Sequence, residues 1–267
     1  MSKPSLDLHH RSGRYGIDGS FQLVPAPIAA AVAILLYVSL VALTITALLN
    51  GHTVVAIIAA AVLLVLLFVT CVSLHTTCWG KFHVWAQILI DLGLSGDERL
   101  LDLGCGSGAV LLTAAKLLPK GHADGIDLWR PDQTGNSQET THRNAEREGV
   151  ANRVTLHTGD ITRLPFADHS FDVVVSSLAI HNISTAAGRQ AAIDEAVRVL
   201  RPGGRLNIAD LRFTKQYVAR LCNLGLTEVQ RYNLGWRFWW GGPWFPTHLV
   251  AACKPTALKK LSTGLEH

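Results

Sequence analysis

Arg99-Leu100-Leu101-Asp102-Leu103-Gly104-Cys105-Gly106-Ser107-Gly108, followed by Ala109–Leu118, is the stretch on which the fold turns. Arg99–Leu103 reads as a short apolar strand. Glycines at 104, 106 and 108 form a turn in which bare backbone can approach a ligand, and the helical run behind it offers free N–H groups. Pro119, Lys120 and Gly121 close that helix. Taken alone the turn is ambiguous. Gly104-x-Gly106-x-x-Ala109 also fits a dinucleotide fingerprint, and a tight turn with no ligand is a third reading.

Outward from this turn, strands and helices alternate. His122–Asp127 reads as the second strand, and a polar loop leads to a helix near Ser137–Glu148 that Gly149 ends. Val154–His157 and Phe171–Ser176 are β-rich. Gln190–Leu200 is helical and stops before Pro202-Gly203-Gly204. Arg205–Ala209 is a fifth strand, Thr214–Leu224 a helix, and Thr227–Tyr232 and His248–Cys253 two more strands. Repeated β-α-β units predict an α/β, Rossmann-like, seven-stranded and mostly parallel sheet with helices on both faces. Ligands of such sheets bind at the carboxyl ends of the strands, beside the switch point. Asp127 ends the second strand 23 residues beyond Gly104, where a carboxylate can accept from ribose hydroxyls.

Several motifs decide between the readings. Leu100–Gly108 resembles motif I of class I S-adenosylmethionine-dependent methyltransferases, with its acid two residues before the first glycine. Gly125-Ile126-Asp127, Gly159-Asp160-Ile161 before Leu164-Pro165-Phe166, Phe171–Ser176 and Val199–Arg205 follow in the family's order. Over roughly residues 95–215 the chain resembles the ubiquinone/menaquinone C-methyltransferase-like branch of that family.

The resemblance implies S-adenosylmethionine as cofactor and S-adenosylhomocysteine as product. Gly104, Cys105 and Gly106 would line the methionine end, with Asp102 holding the loop and the amino group. Asp127 would take the ribose hydroxyls, and Leu128 or Trp129 would lie against the adenine. Asp160 would accept from the adenine amine, with Gly159 and Ile161 beside it. Asn136 and Ser176 complete the expected cofactor set. Each acid faces a donor, which suits its chemistry. Asp172, near the start of its strand, reads as structural.

Methyl transfer is an in-line attack on an activated methyl, so the protein aligns the partners and removes a proton where the acceptor carries one. His181, just past the fourth strand, is the first candidate base, and Asp210, ending the fifth, is the second. Trp236, Trp239, Trp240 and Trp244 crowd a turn-rich segment between the last two strands. Trp236, Trp240 and Trp244 are expected, with His181, to wall an apolar acceptor pocket or to rest at a bilayer interface. A small core or dimer contact is the plainer reading. No histidine or cysteine spacing suggests a metal.

Composition divides the chain. No Asp, Glu, Lys or Arg occurs between Gly19 and Gly80, so all 24 basic and 20 acidic side chains lie elsewhere. Ile28–Leu49 and Thr53–Leu74 are each long enough, at roughly 33 Å, to cross a hydrocarbon layer. Asn50-Gly51-His52 is a tight turn between them. A signal peptide would not carry a second apolar run. The expected organisation is an N-terminal segment (1–22), a transmembrane hairpin (23–80), a methyltransferase domain (81–258) and a tail (259–267) whose Leu265-Glu266-His267 looks like an expression scar. His83–Leu92 reads as an amphipathic helix leading off the membrane.

Lys3, Arg11, Arg14 and Lys81 flank the hairpin while its turn has no Lys or Arg, which predicts an inner-membrane protein with both termini and the domain in the cytoplasm. Trp79 and Trp85 stand where an aromatic belt would. Five cysteines without a C-x-x-C pair suit a reducing compartment. A net charge of +4 with no basic stripe argues against a nucleic-acid partner. The expected partners are the bilayer and a small-molecule or lipid acceptor. Alanine-rich faces (Ala29, Ala33; Ala56, Ala60) would permit homo-oligomers through the membrane helices. Two rival functions stand beside this one: a membrane-tethered NAD(P)-dependent reductase, and a non-catalytic scaffold that binds S-adenosylmethionine.

Overall fold

The computed structural model describes residues 8, 11–19, 24–130 and 133–256. The His9-His10 pair, Lys3, part of the Asp132–Asn136 loop and the Leu265–His267 scar lie outside them.

Two apolar helices come first, α1 (Ala26–Leu49) and α2 (Thr53–His75), joined by the expected turn. Pro25 and Pro27 sit at the start of α1, where a missing N–H costs nothing. The helices pack on each other, with Ala47, Ala56 and Ala59 buried and Tyr37 Oη 2.5 Å from Thr70 Oγ1. Ala56, named above as a possible contact between chains, is thus already used within the hairpin. Twenty-one large apolar side chains of α1 and α2 are exposed. A soluble core helix would bury them. Both are long and apolar enough to cross a membrane.

Helix α2 does not end where the sequence suggested a break. A π-helical turn, Thr76–Gly80, carries it directly into α3 (Lys81–Asp91). Gly80 fits there because a Cβ would stand 1.8 Å from the Arg237 carbonyl oxygen. A close backbone approach, rather than helix termination, explains that glycine.

The remainder is a seven-stranded sheet: β1 (Arg99–Leu103), α4 (Ala109–Lys116), β2 (His122–Asp127), α5 (Gln138–Arg147), β3 (Val154–Thr158), β4 (Phe171–Ser177), α6 (Ala186–Val199), β5 (Leu200–Asp210), α7 (Thr214–Asn223), β6 (Thr227–Asn233) and β7 (His248–Cys253). The strand order is β3-β2-β1-β4-β5-β7-β6, parallel except for β7 against β5 and β6. Side chains alternate across it. Leu101, Leu103 and Val174 meet α6 and α7 on one face, whereas Leu100, Val173 and Val175 meet α3, α4 and α5 on the other.

Two boundaries differ from the sequence reading by more than two residues. Helix α6 starts four residues earlier, because Thr185 caps it by accepting from the Gly188 amide at 3.0 Å. Strand β5 extends back through Pro202-Gly203-Gly204 to Leu200, since Gly203 and Gly204 exchange hydrogen bonds with Lys254.

Candidate functional site

The chain leaves β1 towards β2 on one side and β4 on the other, so the carboxyl ends of β1 and β4 form the switch point. A cavity of about 440 Å³ opens there. Gly104, Gly106 and Gly108 all have positive φ, and a Cβ on Gly104 would meet that of Ala179 at 2.2 Å. The turn is pinned from below by the Gly104 amide donating to Ile126 O (2.8 Å), and from the side by Thr141 Oγ1 donating to Gly106 O (2.7 Å).

Asp102, Gly104, Cys105, Gly106, Asp127, Leu128, Gly159, Asp160 and Ile161 all line the cavity, as the resemblance implied. Asp102 is buried and its Oδ1 has no partner among the described residues. Burial drives its pKa up to about 8; a backbone hydrogen bond from Leu111 opposes the rise, and the nearby Asp127 adds to it. An unpaired buried carboxyl oxygen facing a cavity needs a donor, and a ligand ammonium supplies one. Asp127 accepts from the Gly106 amide (2.9 Å) and the Trp129 amide (2.6 Å), which fixes its plane while leaving lone pairs for hydroxyls. Asp160 accepts from the Thr162 amide at 2.9 Å. Burial pushes the Cys105 thiol up, so it is a small apolar wall rather than a nucleophile.

Three expected cofactor residues lie elsewhere. The Trp129 indole turns to β3 and donates to Thr158 Oγ1 at 2.7 Å, leaving Leu128 as the side chain at the cavity. Asn136 donates to Arg130 O at 2.8 Å and closes its own loop. Ser176 points away and donates to Leu103 O; its neighbour Ser177 lines the cavity, because successive strand residues face opposite sides.

His181 lines the cavity from a 3₁₀ turn after β4. Its Nδ1 lies 2.5 Å from Asp210 Oδ1, close enough for an ion pair although the ring is not aligned for a straight hydrogen bond. Asp210 itself is fully buried and does not reach the cavity. It accepts from the His181 amide (3.0 Å), the Leu211 amide (2.7 Å) and the Tyr217 hydroxyl (3.1 Å). Asp210 therefore holds His181 rather than acting as a second base.

The tryptophan segment divides. Trp240 lines the cavity with Leu178, Leu211 and Trp85. Trp236 instead stacks on His75 of α2, with ring centroids 4.9 Å apart, and Trp244 lies against Phe68 at 6.4 Å. Both are more than half exposed along α2, so only one of the three reaches the pocket. The segment is tied to the π-helical turn, where Thr76 Oγ1 donates to Trp239 O at 2.5 Å.

Asp18, Lys81, Trp85, Arg130, Gln133 and Ser177 line the cavity without having been foreseen. Lys81 was singled out only as a flank of the hairpin, and Trp85 only as part of an aromatic belt; the Trp85 indole N–H donates to Ser177 Oγ at 2.8 Å. Asp18 belongs to an N-terminal strap that no motif marks. Four acids (Asp18, Asp102, Asp127, Asp160) and two permanent cations, Lys81 and Arg130, line the cavity; Asp18 is paired with Lys81, and Asp102 can ionise against a ligand cation. Among the described residues no group of three or more His, Cys, Asp or Glu could hold a metal.

Comparison with known proteins agrees with this geometry. Residues 101–208 match the family model described as a methyltransferase domain. The ubiquinone/menaquinone biosynthesis C-methyltransferase of Roseobacter denitrificans is 35% identical over 132 residues, covering 49% of this chain and 50% of that protein. The chain thus spans about half the length of the curated relatives it matches. The [4+2]-cyclase SpnF superposes with a TM-score of 0.54 at 20% identity, covering 64% of this chain and 81% of the other. A SAM-dependent methyltransferase from Aquifex aeolicus gives 0.51 at 18%, covering 63% and 88%. At these identities the solved structures show the fold.

Proposed function

We propose that this chain, whose residues 101–208 match a methyltransferase domain, is a membrane-anchored, class I S-adenosylmethionine-dependent enzyme that methylates a small apolar or membrane-partitioned acceptor. The observation that carries the cofactor half is the unpaired, buried Asp102 oxygen at the glycine turn of an acid-lined cavity. S-adenosylmethionine, when bound, supplies a methyl group already activated on a sulfonium. Asp102 would hold its ammonium, Asp127 its ribose hydroxyls, and Asp160 with Ile161 its adenine.

The Asp102 oxygen weighs against the reductase reading. A dinucleotide brings phosphates and no cation to the glycine turn, where that buried oxygen would be left without a donor. The scaffold reading is opposed by His181, which brings a nitrogen backed by a buried carboxylate to an apolar wall.

Acceptor class follows from that wall. Trp240, Leu178 and Leu211 offer apolar surface beside His181, which suits a flat or hydrophobic acceptor. The name of the Roseobacter relative makes a quinone-type ring one candidate. Anchoring rests on the two exposed apolar helices and on the basic residues at the domain end of the hairpin. Chains could still associate through the outer faces of those helices. Because α2 runs unbroken into α3, the cavity stands close to the bilayer surface and a lipid-soluble acceptor need cross little water.

Titration calorimetry on the full chain in lipid nanodiscs tests the cofactor. S-adenosylhomocysteine should bind in the micromolar range or tighter and NADH should not. The reverse order would sink the proposal.

A further inference from the structure

The N-terminal strap, the π-helical turn and the glycine loop meet in one hydrogen-bonded chain. Gln133 is nine-tenths buried, and its Oε1 accepts from both the Ser107 amide (3.0 Å) and the Ser107 hydroxyl (2.6 Å). Its Nε2 donates to Asp18 Oδ1 at 2.8 Å. The other Asp18 oxygen accepts from Thr77 Oγ1 (2.6 Å) and Lys81 Nζ (2.5 Å). Asp18 also bridges Gln133 through the backbone, and its amide donates to Thr77 Oγ1 at 2.9 Å.

We propose that Asp18 and Gln133 are positioning residues that set the glycine loop for the cofactor and couple its geometry to the helix emerging from the hairpin. The inference rests on the methyltransferase reading. Chemistry selects the residue types. A primary amide can accept from the loop at one end and donate to a carboxylate at the other. A glutamate at 133 would turn an acceptor towards Asp18, two carboxylates face to face. Position 106 must stay small, because a Cβ there would meet Gln133 Oε1 at 3.0 Å.

The far end of the chain gives the coupling its direction. Thr77 and Lys81 lie on the continuous α2–α3 rod, not on the sheet. A tilt of that rod moves Asp18, and Gln133 passes the movement to Ser107. Whatever fixes the rod then changes cofactor affinity, and bound cofactor fixes the rod to the same degree.

The test uses the full chain in nanodiscs, with S-adenosylhomocysteine affinity from calorimetry and hydrogen exchange of the 104–109 amides without ligand. Gln133→Leu should weaken binding about tenfold and speed exchange in that loop. Gln133→Glu should do worse. Adding Asp18→Asn to Gln133→Glu restores a donor facing an acceptor, and should recover most of the affinity and the protection. Tyr15→Phe, which removes a strap hydrogen bond to Glu148 away from the loop, should change neither. Affinity and exchange within twofold of wild type in Gln133→Leu would overturn the inference, as would a double variant no better than Gln133→Glu alone. If the wild type binds no S-adenosylhomocysteine while loop exchange still follows this pattern, the methyltransferase reading fails and the positioning of the loop stands.

Discussion

His181 and Asp210 are joined twice: the imidazole Nδ1 lies 2.5 Å from Asp210 Oδ1, and the backbone amide of His181 donates to Asp210 Oδ2 at 3.0 Å. A carboxylate that grips both the main chain and the ring sets where the remaining nitrogen points. If His181 takes the acceptor's proton, His181→Ala should lower kcat by about 10²–10⁴-fold, the usual worth of a general base, with S-adenosylhomocysteine affinity within twofold. Equal losses in kcat and affinity would place His181 in the cofactor site instead.

Asp210 should behave differently. Replacing it by alanine strands the buried Tyr217 hydroxyl and the half-buried Leu211 and His181 amides. Each orphaned donor costs about 1–3 kcal/mol, so Asp210→Ala should unfold at distinctly lower denaturant. Asp210→Asn keeps the shape and should be milder in stability than in kcat. An Asp210→Ala protein as stable as wild type would show that these contacts are not made.

Asp102 makes a pH prediction. The folded, unliganded carboxyl keeps its proton up to about 8, whereas an unfolded one releases it near 4. Between those values the folded state holds more protons, so this group's contribution to stability falls as pH rises through that window. A cofactor ammonium needs the ionised form. Binding near pH 7 should therefore release close to one proton, read by calorimetry in buffers of different ionisation enthalpy. Asp102→Asn should abolish the release and weaken binding.

Trp240 and Trp236 separate two roles that looked like one in sequence. Trp240→Ala removes apolar wall from the cavity and should mainly raise the acceptor KM. Trp236→Ala, on the outer side against His75, should leave KM alone and weaken membrane association or hairpin packing. A raised KM from both would return Trp236 to the pocket.

Why some of this was legible follows from the range of the signals. Arg99–Leu103, His122–Asp127 and His248–Cys253 were bounded to the residue because glycine or proline turns and short apolar runs mark strands locally. The carboxylates Asp102, Asp127 and Asp160 that line the cavity were legible because motif spacing ties them to strand ends. Ser176 was misplaced for a reason of parity, since one residue along a strand reverses the face. Asp18 and Gln133 could not be found at all, since their mutual hydrogen bond joins segments more than a hundred residues apart with no motif at either end. Lys81 was read as a topological flank, and its buried contact with Asp18 depends on the π-helical turn that sequence periodicity does not announce.

Topology gives the last prediction. The strap Arg11–Gly19 is bound to the domain: the Ser12 and Gly13 amides donate to Glu148, and the Arg14 amide donates to Asn144. The end of β7 is held too, with Lys254 Nζ donating to Val197 O and Leu200 O. Both ends of the described chain therefore sit on the domain side of the hairpin. Asn50-Gly51-His52 stands at the other end, roughly 36 Å away along a 24-residue helix. If the helices cross the bilayer, cysteines placed singly at positions 3–15 and 255–260 should label only from the cytoplasm, and His52→Cys only from outside. Cys71, Cys78 and Cys222 are exposed and must first be replaced. Labelling of the turn and of either terminus from the same side would leave the pair lying on or beside the membrane, and would remove the hairpin as a spanning anchor.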